Sequence, residues 1–67
     1  MPLDKEEIEY YEHIIDTLLD NIIMLESELS IYKGQKTIVK IINFNLRNRR
    51  SQLRYYQNLL FAYKKLV

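Results

Sequence analysis

The chain has 67 residues, 48% of them hydrophobic, with ten basic and nine acidic side chains, one histidine, one glycine, one proline and no cysteine. A chain this short makes one domain at most, the lack of cysteine excludes disulfides and thiolate metal sites, and a lone histidine builds no zinc site. A single glycine and a single proline leave no room for a turn-rich β fold, which makes the fold class all-α.

No apolar run approaches the roughly 18 to 20 residues that span a bilayer, and the first seven residues, Met1 to Glu7, are acidic where a signal peptide is basic. The expectation is a cytoplasmic protein with no membrane contact and no cofactor.

Asp4 suits a helix N-cap, and Glu7, three residues on, suits the returning bond of a capping box. Glu6, Glu7 and Glu9 also favour the positive end of the helix dipole. From Ile8 the apolar residues recur at alternating spacings of three and four: Ile8, Tyr11, Ile15, Leu18, Ile22, Leu25, Leu29 and Tyr32. They fill consecutive a and d positions of a heptad, the signature of a long helix whose stripe another helix must cover. Lys33-Gly34, a basic residue followed by the glycine, predicts the stop. The first helix is expected over about 4–33 and the turn over about 34–37, with Thr37 as the second N-cap.

Apolar periodicity resumes for a second helix over about 38–66, with a seam of Val39, Ile42, Leu46, Arg49, Leu53, Tyr56, Leu60, Tyr63 and Val67. Arg49 alone interrupts it. Each helix is then about 30 residues long, or roughly 45 Å. A short connection makes the pair antiparallel, and the two seams agree in register. Pairing positions whose numbers add to 71 sets an a residue against a d residue in every layer, from Tyr32 with Val39 through Leu25 with Leu46 and Ile22 with Arg49 to Ile8 with Tyr63. Near the open end, Tyr10-Tyr11 and Tyr55-Tyr56 are each followed two residues on by an aliphatic pair, and in this register each tyrosine pair lies against the opposite aliphatics.

Charge divides the chain. Residues 1–33 hold all nine acids with Lys5 and Lys33, a net of −7, and residues 34–67 hold eight basic groups and no acid, a net of +8. Opposite charge on the two arms favours their pairing and fixes its direction. It also leaves a basic surface for an external polyanion.

Apolar residues remain after the seam closes. On the edge formed by positions g and c lie Tyr10, Ile14, Met24, Ile31, Ile38, Ile41, Tyr55, Leu59, Ala62 and Leu66, with Leu19, Ile23, Phe44 and Phe61 elsewhere. A stripe this long on so small a molecule marks a protein contact. The architecture read from the sequence is a two-helix antiparallel coiled-coil hairpin, completed by a second copy as a four-helix bundle or by docking on a larger protein.

The stretch from Asn43 to Arg54 is where function is written, if anywhere. Arg47, Arg50 and Arg54, with Lys40 before them, could contact phosphates as a basic helix lying along a nucleic-acid backbone. Glu12, Asp16 and Glu26 share that edge and compete for the arginines. Arg49, facing Ile22 in the seam, should snorkel outward, fix register or meet an acid of another chain. His13 falls at an f position away from the seam, the serines lack a partner base, no glycine-rich phosphate loop is present, and a two-helix hairpin has no water-excluding pocket. The sequence therefore points away from an enzyme. It points to a non-catalytic interaction module, a small accessory subunit of a larger nucleic-acid-processing assembly that docks by the apolar edge. The alternatives are a homodimeric four-helix-bundle regulator binding RNA or DNA and a purely structural adaptor. No small-molecule substrate is expected.

Overall fold

The computed structural model describes residues 4–65. They form two helices, α1 (Lys5–Ile31) and α2 (Lys36–Lys65), folded back on each other as a hairpin. The rod measures 49 × 14 × 12 Å. The long dimension matches a 30-residue helix, and the 14 Å width is what two Cα cylinders give at the usual helix spacing of about 8–10 Å.

Asp4 caps α1 as its side chain requires: Oδ1 accepts from the Glu7 N–H at 2.8 Å, with extended backbone at Asp4 itself. Glu6 and Glu7 stand in the first turn, and Lys64 and Lys65 in the last turn of α2, so both outer helix ends carry the charge that opposes their dipole.

The connection lies two residues earlier than the glycine suggests. Tyr32 closes α1 by donating its N–H to the Glu28 carbonyl at 2.9 Å, and the Gln35 N–H then reaches the Tyr32 carbonyl at 2.8 Å to close a reverse turn over residues 32–35. Gly34 sits inside this turn without a left-handed φ, so the turn does not depend on glycine's conformational freedom. The Val39 N–H already bonds the Gln35 carbonyl at 2.9 Å, which starts α2 at Lys36 and leaves Thr37 inside the first turn rather than at its cap.

The expected seam is the core. Leu18, Ile22, Ile42, Leu46 and Leu60 are buried, and Ile22, Ile42 and Leu46 form a cluster that Leu25, Leu29, Ile38 and Leu53 pack against. Ile8, Tyr11, Ile15, Val39, Tyr56 and Tyr63 are half-buried. Two seam positions depart. Tyr32 is 37% exposed because it terminates the helix instead of continuing it, and Arg49 is exposed. The final seam residue, Val67, lies outside the described residues.

Ion pairs between the helices follow the same register as the apolar layers. Glu26 pairs with Arg50 at 2.9 Å and Glu12 with Lys64 at 3.4 Å, and both pairs have numbers that add to 76. All four residues are e positions, and an e to e pairing at 76 is the polar counterpart of an a to d pairing at 71. At the open end the inner tyrosines meet directly, Tyr11 on Tyr56 with ring centroids 5.6 Å apart, flanked by edge contacts from Tyr10 and Tyr55. The expectation set each tyrosine against aliphatics. Both inner tyrosines are d residues of neighbouring layers, and their rings are long enough to span the step.

The hairpin therefore has two broad faces. One carries the g and c positions of both helices, and the other carries the e and b positions with the ion pairs.

Candidate nucleic-acid interface

Arg47, Arg50 and Arg54 recur at spacings of three and four along α2, which places their stems on one side of the helix. They line an open groove of about 490 Å³ with Asn43, Leu46 and Ser51. Leu46, buried in the core, forms its floor, and the other five lining residues are exposed. No acid belongs to the lining. The groove thus offers three guanidinium forks, a carboxamide and a hydroxyl around a wet concavity, donors suited to phosphate oxygens.

Arg50 is the arginine among these that already has a partner. Its Nη2 donates to Glu26 Oε1 at 2.9 Å, with side chains 57% and 52% exposed. An ion pair this wet is worth about 0–1 kcal/mol, so an incoming phosphate could displace the carboxylate at small cost. Lys40 stands on the same b stripe as Arg47 and Arg54 but one heptad, about 10 Å, nearer the turn, and does not line the groove. Asn43 and Ser51 join it as neutral donors, Ser51 without any sequence signal beyond its position one turn from both Arg47 and Arg54.

Arg49 leaves the seam. Its Nη1 donates to Gln52 Oε1 at 3.4 Å, a long bond that holds the guanidinium toward the g/c face and away from Ile22. Of the three courses open to it in the sequence, snorkelling outward, fixing register or meeting an acid of another chain, Arg49 takes the first within this chain.

The apolar edge separates into two kinds of residue. Tyr10, Met24, Ile31, Ile41 and Tyr55 are 57–73% exposed, whereas Ile14, Ile38 and Leu59, at g positions next to the seam, are half-buried. Leu66 lies outside the described residues.

His13 is exposed on the outer surface of α1, where its carbonyl accepts the Thr17 hydroxyl at 3.0 Å. Among the described residues no group of three or more His, Asp or Glu side chains could hold a metal ion, and no helix is long and apolar enough to cross a membrane. A second shallow groove of about 250 Å³, lined by Ile15, Gln57, Leu60, Phe61 and Lys64, lies on the same e/b face toward the open end. No family model matches the chain, no curated protein is similar to it, and no solved structure matches it.

Proposed function

We propose that this protein is a non-catalytic interaction module, a small cytoplasmic accessory component of nucleic-acid-handling machinery. In this reading the arginine groove of α2 lies along a phosphate backbone while the g/c face docks on protein. The observation that carries it is the convergence of Arg47, Arg50 and Arg54 with Asn43 and Ser51 on one groove with no acid in its lining. Contacts of this type position a partner on the phosphodiester chain and read no base, so binding should be tolerant of sequence.

The test is fluorescence anisotropy with labelled single-stranded and duplex oligonucleotides of RNA and DNA, over a salt series from low to physiological ionic strength. Binding should weaken steeply with salt, and the slope of log K against log salt should fall by about 1.5 to 2 when Arg47→Ala and Arg54→Ala are combined. No binding at low salt, or binding indifferent to the double substitution, overturns the reading and leaves a structural adaptor.

A further inference from the structure

The hairpin is a single layer of two helices, and its surface exceeds what a chain of its mass should expose. Its accessible area is 5580 Å², while a compact monomer of 8.2 kDa exposes about 4,500 Å² by the usual scaling with mass. Its radius of gyration is 15.2 Å against roughly 11 Å for a compact domain of this length. The excess of about 1,000 Å² is close to the ~800 Å² that each partner contributes to a standard interface.

The g/c face carries Tyr10, Met24, Ile31, Ile41 and Tyr55, five exposed large apolar side chains, against Leu19, Ile23 and Phe61 on the e/b face. Near the turn it carries Ile31, Ile38 and Ile41, near the open end Tyr10, Tyr55 and Leu59, and between them Thr17, Asn21, Asn48 and Gln52 with the exposed Met24. In the hairpin register Asn21 stands between the heights of Asn48 and Gln52, whereas Thr17 is level with Tyr55 and Met24 with Asn48. Two such faces laid together with their turns at the same end set Ile31 of one near Ile38 and Ile41 of the other, and Tyr10 and Ile14 near Leu59. The opposite orientation would also set apolar against apolar, so polarity alone does not choose.

Charge chooses. α1 carries eight acids against one lysine, a net of −7, and α2 carries eight basic groups and no acid, a net of +8. On the g/c face itself the charged g and c residues, Glu7 and Glu28, both belong to α1, while Arg49 emerges beside Gln52 on α2. A two-fold axis running along the rod sets each α1 over the partner's α2 and puts the two α1 helices on a diagonal. A two-fold axis across the rod stacks α1 on α1 and α2 on α2, like charge on like.

From this geometry we infer that the g/c face is covered by a second copy of this chain, in a four-helix bundle whose two turns lie at the same end. The inference rests on the reading of that face as a docking surface and is independent of the arginine groove. The e/b faces point outward in this dimer, which leaves two arginine grooves free on opposite sides.

The experiment uses the full chain. Sedimentation equilibrium should give twice the 8.2 kDa chain mass at micromolar concentration. Gly34 then reports the symmetry, since a Cβ there meets nothing within 4 Å and the chain has no other thiol. A spin label on Gly34→Cys should show an intermolecular distance of about 10–20 Å, one helix spacing lengthened by the two label arms. A distance near the 49 Å rod length would place the turns at opposite ends and overturn the proposed axis. A monomer at micromolar concentration overturns the dimer.

Ile41→Lys with Tyr55→Lys should convert the dimer to a monomer, and a dimer that survives both overturns the assignment to this face. Arg47→Ala with Arg54→Ala should leave the mass and the label distance unchanged. Loss of the dimer with nucleic-acid binding intact, or the reverse, therefore separates the failure of this inference from failure of the arginine reading.

Discussion

Arg50 Nη2 lies 2.9 Å from Glu26 Oε1, so the arginine that the acidic helix engages is the middle one of the groove. The same contact serves as a register mark between the helices and as a competitor for any phosphate. Glu26→Gln separates those roles. An exposed pair contributes about 0.5 kcal/mol, so the hairpin should lose less than ~1 kcal/mol in urea unfolding. Oligonucleotide binding at low salt should tighten by roughly two- to threefold as Arg50 is released and a nearby negative charge disappears. Tightening absent from the titration would mean that Arg50 does not reach the ligand.

Leu46 is the most buried residue described, 3% exposed, and joins Ile22 and Ile42 in the central cluster while flooring the groove. Leu46→Ala removes that contact and leaves a cavity in the middle of the rod, which typically costs about 2–5 kcal/mol. On a two-helix layer that is a large share of the total stability. Circular dichroism should show a melting midpoint lowered by ten degrees or more, on the order of 5 °C per kcal/mol for a domain of this size. A melt within a few degrees of the parent would show that the core is not centred on this layer.

The heptad spacing was enough to place nearly every buried side chain, because a stripe repeating every 3.5 residues on two arms has few ways to pair. Leu18, Ile22, Ile42, Leu46 and Leu60 all fall on it. What the spacing could not settle depends on side-chain reach and on backbone at the turn. Arg49 has the seam's position but enough methylene length to leave it for Gln52. Tyr11 and Tyr56 are assigned to different layers yet their rings touch. Lys64 carries no signal of its own in the sequence, although its pairing with Glu12 follows from the same register as Arg50 with Glu26. The groove was legible only as a run of arginines, since Ser51 and Asn43 look like any other solvated helix residues until the helix is placed against its partner.

Lys33-Gly34 has the pattern of a helix stop, yet the turn forms without the conformation that only glycine adopts readily. The φ of Gly34 is not left-handed, and an added Cβ would meet nothing within 4 Å. Gly34→Ala should therefore stabilise the hairpin by about 0.4–1 kcal/mol, chiefly by narrowing the unfolded chain's freedom. The measurement is a shift of the urea midpoint at unchanged slope. A loss of stability would reveal a backbone constraint at the turn that the hydrogen bonds from Tyr32 and Gln35 do not express.

Tyr10 and Tyr11 are neighbours with opposite surroundings. Tyr11 is half-buried in the seam with its ring 5.6 Å from that of Tyr56, while Tyr10 touches Tyr11 by an edge contact and is 63% exposed on the g/c face. Tyr11→Ala removes seam area and an aromatic pair, and should cost about 2–3 kcal/mol, between full core truncation and loss of the pair alone. Tyr10→Ala removes mostly exposed area and should cost the isolated hairpin less than about 1 kcal/mol. The two are compared by unfolding across a range of protein concentrations. Tyr11→Ala should lower the midpoint at every concentration, including the most dilute. The Tyr10→Ala deficit should grow with concentration, because that ring contributes only where a second chain covers it. Equal deficits that do not change with concentration would place both rings in the same intrachain core and remove Tyr10 from any interface.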